Sequence, residues 1–413
     1  MRFKSYQKVG SVIFILVMTV LVVTSIPAKA ERPLLIGVYG PMTGPAAESG
    51  KQIKNGAVMA VEEINAAGGI LGRQVKLVFG DSESKPSAAV GMMERLITYD
   101  KVDLVTGGLH SDVALATMDV TAKYRVPQIM NTPVSGEITK KIANNLDKFK
   151  YVFKNGPTPA VYGTAVPGML EKLRNQGAME FKKKTVAFVR ERTSWGRSLQ
   201  ESIGSGFGAK GWKVVAVETV ETDQSDYLSL LSKIKSLEVD AIVELQTSVA
   251  AATSFLKQFV QRGIPAVLCA IFVPSDPHYL ELAGPAANGV LWMLNITTLP
   301  TKKGKSFTEA YTKRWGIGPA MTASLQHDLM HMIKAAYETA GSFDKDKFTE
   351  AFLQHHFTGN TGIYAYDPKN HQVRSGADFI PTIAYQIQDE KNIVLWPERY
   401  AVGSFQIPPW VGK

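Results

Sequence analysis

Cysteine is nearly absent from this 413-residue chain. Cys269 stands alone, so neither an internal disulfide nor a cysteine-based zinc cluster can form. Long hydrophobic runs are missing too. The stretch Val12–Val23 is short for a bilayer span of about 20 residues, so a polytopic membrane protein is excluded for the bulk of the chain. There is no low-complexity tract, short-period repeat or collagen-like pattern. With 45% hydrophobic and 20% charged residues, the composition is that of a folded globular protein rather than a disordered one. At roughly 150 residues per domain, the length predicts two domains.

The formal charge of +9 lies partly in the first 30 residues, which hold Arg2, Lys4, Lys8 and Lys29 and no acid. A basic start, a short apolar core and the ending Pro27-Ala28-Lys29-Ala30 describe a secretory signal peptide cleaved after Ala30. The remaining basic residues are scattered. Lys182-Lys183-Lys184 is the one tight run and reads as a solvated strand entry, so no nucleic-acid partner is expected. No cysteine near the cleavage point could carry a lipid. The sequence therefore places the mature protein outside the cytoplasm as an exported molecule.

Beyond residue 31, strand-like and helix-like segments alternate. Leu34–Val38 reads as a strand, and Ala57, Ala60, Val61 and Ile64 form the buried face of a helix that stops at Gly68-Gly69. Pro86–Thr98 reads as a helix with proline in its first turn, and Val102–Val105 as a strand running into Gly107-Gly108. Ser111 or Asp112 is expected to cap the next helix. The pattern restarts after Gly156-Pro157-Thr158-Pro159, read as a linker, and continues through strands at Thr185–Val189, Ala241–Leu245, Ala266–Ala270 and Val290–Leu294. Helices are expected at Trp195–Lys210 and Met321–Ala340, and short strands in the last 50 residues. Such alternation means βαβ units and parallel sheets, an α/β fold with two Rossmann-like lobes.

Enzyme signatures are weak. Gly206-Phe207-Gly208-Ala209-Lys210-Gly211 matches the dinucleotide fingerprint in letters, but it closes a helix and precedes a strand, the reverse of what that motif needs. The G-x-S-x-G elbow of exported hydrolases is absent. His327 and His331, spaced i, i+4 on a helix, could hold zinc, with Asp328 in place of the usual glutamate; an exported metallohydrolase is the corresponding alternative. The expectation is instead a non-enzyme without cofactor or metal, because binding geometry is what the sequence displays. Ligands collect at the carboxyl ends of parallel strands. The loops 41–49, 107–111 and 131–135 combine glycine or proline with small hydroxyl residues there. Ser111, at a helix start, could hold a carboxylate together with N–H groups of the 131–135 loop.

The strings that follow Leu35 resemble a known family. Ile36–Thr43 with Gly44-Pro45, then Ala60-Val61-Glu62-Glu63-Ile64-Asn65-Ala66-Ala67-Gly68-Gly69-Ile70-Leu71-Gly72, are similar to the opening of periplasmic leucine/isoleucine/valine-binding proteins. These are the substrate-binding components of branched-chain amino acid ABC importers, with amide- and urea-binding relatives. Gly107-Gly108-Leu109, Tyr124–Pro127, Glu137-Ile138-Thr139, Ser194-Trp195-Gly196, Asp226-Tyr227-Leu228 and Tyr366–Gln372 extend the resemblance across residues 31–400.

The resemblance implies a type I periplasmic binding protein, two lobes joined by a three-crossing hinge. Lobe 1 would be 31–155 plus 292–357 and lobe 2 156–291 plus 358–413, with crossings near Asn155, Leu291 and Thr358. It implies a monomer that closes on a small molecule and hands it to the membrane subunits of an ABC permease; a sensor for a membrane receptor is the alternative use. The family's ligand contacts fall on Leu109, His110, Ser111, Thr132 and Val134 in lobe 1 and on the lid Trp195 in lobe 2. Two positions depart: the tyrosine of the first loop is Ser49, and the acid that accepts the ligand's ammonium aligns near Phe272, with Glu244 and Gln246 as possible substitutes. The disulfide of some relatives is absent, its positions being Ser84 and His110. The resemblance leaves the solute as a branched-chain amino acid or a related aliphatic or aromatic acid or amide; unless Glu244 or Gln246 serves as acceptor, loss of the acid, with Trp195 and Phe272 at hand, favours the carboxylate or amide over a free amino acid.

Overall fold

The computed structural model describes Met1 and residues 32–411. The expected leader and its cleavage point after Ala30 lie outside the described residues, Met1 apart. No helix among those described is long and apolar enough to cross a membrane.

Two seven-stranded sheets organise the chain. The first holds β1 (Leu34–Gly40), β2 (Val75–Asp81), β3 (Leu104–Gly107), β4 (Gln128–Met130) and β5 (Val152–Lys154) in the order 2-1-3-4-5, all parallel. The second holds β6 (Thr185–Glu191), β7 (Lys213–Val220), β8 (Ala241–Leu245), β9 (Val267–Ile271) and β10 (Leu291–Asn295) in the matching order 7-6-8-9-10, again parallel. A two-residue pair, β11 (Phe357–Thr358) and β12 (Ile363–Tyr364), stands apart. The late strands then return. β13 (Tyr366–Asp367) and β14 (Gln372–Val373) extend the first sheet beyond β5, and β15 (Thr382–Gln388) and β16 (Lys391–Trp396) extend the second beyond β10 in antiparallel fashion. The strands run as the sequence alternation predicts: β4, β5, β8, β9 and β10 are buried at every position, as expected where helices cover both faces of a parallel sheet.

The chain passes between the sheets three times: after β5, after β10 and after β14. The first passage falls where the sequence expects it, next to Asn155. The other two do not. Leu291 lies inside β10 of the second sheet, so that passage follows Asn295, and Thr358 precedes two strands that still belong to the first sheet, so the last passage falls between Val373 and Thr382. The segment 358–373, expected in lobe 2, is held to lobe 1 by pairing of Gln372 with Lys154. Lys154 is fully buried, and its ammonium donates to the carbonyls of Gly156 and Pro157 and to Gln372 Oε1 at 2.8–3.0 Å. It thereby ties the first passage to the strand that leads into the third.

Helix ends match the sequence signals at Pro86–Thr98 and Met321–Ala340. The helix expected at Trp195–Lys210 spans Ser194–Gly208, with Thr193 Oγ1 accepting from the Gly196 N–H at 3.1 Å. The run Gly206–Gly211 thus closes that helix and leads into β7. A helix at Pro159–Asn175, begun by the very proline read as linker, was not foreseen.

Candidate functional site

In both sheets the strand order reverses beside the first strand, between β1 and β3 and between β6 and β8, the position where doubly wound sheets form a ligand crevice at their carboxyl ends. A tight cavity of about 20 Å³, room for little more than one water, lies between the carboxyl ends of the two sheets. Leu109 and His110 enter it from the loop after β3, and Thr132 and Val134 from the loop after β4. Trp195 follows β6, Thr247 follows β8, and Ile271 and Phe272 end β9. Pro157, Tyr162, Leu294 and Met321 complete the lining. Six of the expected contacts, Leu109, His110, Thr132, Val134, Trp195 and Phe272, therefore meet in one cavity.

Glycine makes the wall after β3 possible. Gly107 and Gly108 have φ of 111° and 86°, and a Cβ on either would lie 2.2 Å from the Tyr39 carbonyl oxygen or 2.6 Å from its hydroxyl. The next helix, Ser111–Tyr124, then begins facing the cavity, and its N-cap is His110, not Ser111 or Asp112. Ser111 itself plays a different part from the one expected. Its Oγ accepts from the N–H groups of Val134 and Ser135 at 3.1 and 3.0 Å. Those N–H groups, expected to reach a bound carboxylate, are spent on holding the 131–135 loop to the helix. Ser111 is not among the residues lining the cavity.

Ser49 and Gln246 are also displaced from the cavity. Ser49 sits buried in the first turn of the Ala47–Ala66 helix rather than in the loop before it. Gln246 is buried behind the second wall, where its Oε1 accepts from the Tyr227 hydroxyl at 2.6 Å. Glu244 is buried there too, and burial pushes its carboxyl up to about 8. Neither offers an anion to the cavity at neutral pH.

What the cavity offers instead is a hydrogen-bonded chain running from Glu191 through Thr247 to His110. Burial pushes the Glu191 carboxyl up to about 7, and its oxygens accept from the Thr247 N–H and hydroxyl at 2.6–3.0 Å. Thr247 Oγ1 then meets His110 Nε2 at 3.4 Å, across the cleft. Burial holds His110 down at about 4, against a smaller opposite pull from Asp112, so the ring is neutral. Because the Thr247 hydrogen is committed to Glu191, the His110 proton belongs on Nε2. That leaves Nδ1, buried and without a partner, as an acceptor.

Phe272 carries backbone strain: φ 80°, ψ −65° is a γ-turn conformation rarely taken by residues other than glycine. The turn places its ring in the cavity lining as β9 ends. Tyr162, Thr247 and Met321 were not foreseen as lining residues. Thr247 had a usable signal, a hydroxyl residue just past a buried strand; Tyr162 and Met321 arrive from helices and had none.

Further bonds cross the cleft at its rim. Asp112 Oδ2 accepts from the Ser194 N–H at 3.1 Å, the Ser135 and Ser198 hydroxyls meet at 3.1 Å, and Arg197 pairs with Glu137 at 2.9 Å. The lobes are thus shut against each other around the cavity.

Comparison with known proteins agrees with this geometry. The leucine-, isoleucine-, valine-, threonine- and alanine-binding protein of Pseudomonas aeruginosa is 25% identical over 342 residues, covering 83% of this chain and 88% of its own. A solute-binding protein of an ABC transporter from Rhodopseudomonas palustris, solved with benzoate, superposes with a TM-score of 0.77 at 20% identity, over 92% of this chain and 99% of its own. A leucine-binding protein from Thermotoga maritima superposes with a TM-score of 0.76 at 23% identity, over 88% and 98%. The periplasmic binding protein family matches residues 33–381, and the chain belongs to that family.

Proposed function

We propose that this protein is the substrate-binding component of an ABC importer, and that it takes a small aromatic or aliphatic carboxylate without an amino group. The observation that carries the ligand class is the state of the buried acids. A free amino acid needs an anion for its ammonium, and a buried unpaired ammonium is costly. Of the two acids behind the second wall, Glu244 is pushed up to about 8 and stays mostly protonated at neutral pH, while Glu191, pushed up to about 7, has its oxygens taken by Thr247. The second wall presents the faces of Trp195 and Phe272, suited to a flat or apolar body. The first wall presents the Thr132 hydroxyl and the start of the Ser111–Tyr124 helix, suited to a carboxylate. The benzoate complex of the Rhodopseudomonas palustris neighbour shows that this fold accommodates such ligands.

Ligand contacts from both walls exist together only when the cleft is shut, so binding shifts the open–closed equilibrium toward closure. The closed arrangement is what the membrane subunits of the permease read. The protein acts as a monomer outside the cytoplasmic membrane, after removal of residues 1–30. The non-enzyme reading is supported at the His327–His331 stretch, where Asp328, in the position of a metalloprotease base, spends its carboxylate on the Asn360 and Thr361 N–H groups and the Tyr364 hydroxyl.

The test is a thermal-shift screen, followed by calorimetry, with benzoate, hydroxybenzoates, short fatty acids, amides and leucine. A ligand at 100 times its Kd stabilises by about 2.7 kcal/mol. Carboxylates lacking an amine are expected to outrank leucine. The reverse ranking would overturn the ligand class while leaving the transport role standing.

A further inference from the structure

A second cluster lies away from the cleft. The Ala47–Ala66 and Met321–Ala340 helices cross closely at Gly56, where a Cβ would lie 2.3 Å from the Ala323 carbonyl oxygen. Two turns beyond Gly56 the first helix reaches Glu63. One and two turns beyond Ala323 the second reaches His327 and His331. The seam therefore sets one carboxylate against two imidazoles. His327 Nε2 and His331 Nε2 both lie 3.0 Å from the same oxygen, Glu63 Oε2, and the two rings are 4.7 Å apart. The three ligand atoms lie within 4.8 Å of one another, and all three residues line one surface depression that shares no residue with the cleft.

We propose that Glu63, His327 and His331 bind a late divalent transition metal ion, zinc first among them, as a clip between the two helices. Two imidazoles and one carboxylate form a donor set that suits zinc, with metal–ligand distances near 2.0–2.2 Å and hence ligand–ligand edges of about 3.3 Å in a tetrahedron. The two oxygen–nitrogen edges are already 3.0 Å. Metal binding needs each imidazole to carry its proton on Nδ1. For His327 that atom lies 3.2 Å from the Asn360 side-chain amide, which a half-turn converts from donor to acceptor, the supporting hydrogen bond metal-bound histidines require. The ring is held by Phe307 at 4.6 Å and is nearly buried, while His331 and Glu63 are open enough to admit an ion. Neighbouring lysines are engaged elsewhere: Lys334 with Glu338, and Lys303 with the Thr358 carbonyl. The fourth position of the ion faces solvent. This site is independent of the transport reading.

The test is calorimetric titration of zinc chloride into the mature protein, purified without a histidine tag and stripped with chelator, with magnesium chloride as control. One saturable zinc site per chain is expected, with no magnesium binding and a higher melting temperature in zinc. Glu63→Gln and His331→Gln, each changing one partly exposed side chain, are expected to weaken zinc binding at least about 10-fold while circular dichroism stays native and cleft-ligand affinity is unchanged. Absence of saturable zinc binding, or binding that survives both substitutions, would overturn the proposal.

Discussion

The two walls of the cleft come from sheets with the same strand order, yet they are furnished in opposite ways. The first wall carries short polar loops, with glycines after β3 and a hydroxyl that stitches the next loop to a helix start. The second carries large rings in front and buried carboxyls behind. One topology thus supports a polar seat on one side and an apolar cover on the other. The difference lies in what each strand delivers at its carboxyl end. The proposed amine-free carboxylate, with one polar end and one apolar face, would use this difference.

The largest effect is expected from stripping the cover. Trp195→Ala removes a buried ring next to the cavity and should weaken ligand binding by about 10-fold or more, about 1.4 kcal/mol or above; unchanged affinity in calorimetry would show that the second wall does not grip the ligand. Breaking the polar wall comes next. Ser111→Ala leaves the Val134 and Ser135 N–H groups without their acceptor and should cost about 1–3 kcal/mol in denaturant unfolding, with loosening of the 131–135 loop seen in hydrogen exchange. A loss below about 0.5 kcal/mol would mean that water replaces the hydroxyl freely.

The smallest effect sharpens the account of the second wall's acids. Glu244 and Glu191 bind protons more tightly folded than unfolded, so stability should fall as pH rises from the ordinary carboxyl range toward about 8 and level off above it. Glu244→Gln should flatten the upper part of that slope and leave affinity for an amine-free carboxylate at pH 7 unchanged. Superimposed melting curves for the two proteins across pH 5–9 would mean that Glu244 ionises without penalty. A large affinity loss at pH 7 would instead mean that its charge serves the ligand.

Much of this architecture was legible before any coordinates. Alternating periodicity exposed both parallel sheets, because buried strands and amphipathic helices must repeat in that order to cover one another. The loops 107–111 and 131–135 were legible because strand ends are where such sheets keep their ligands, whereas Trp195 and Phe272 were reached only through the family resemblance. The failures share a physical origin. Residues 292–295 and 358–373 were given to the wrong lobe because sheet membership depends on pairing between distant segments, such as Leu291 with Cys269 and Gln372 with Lys154, and nothing local encodes it. Ser111 was misread because the competitor for its oxygen is a loop 23 residues away. Glu63 was hidden for the same reason: 264 residues separate it from His327.

Lys154 gives the hinge a particular mechanical character. A single buried ammonium, stripped of water and its proton held less tightly than usual because of burial, grips two backbone oxygens of one connection and the side chain at the root of another. Two of the three cords between the lobes are thus knotted at a common point. The second cord is fastened to the third in turn, the Asn295 side-chain amide donating to the Ile380 carbonyl and the Thr382 hydroxyl and accepting from the Ser375 hydroxyl, so all three crossings form one bonded bundle.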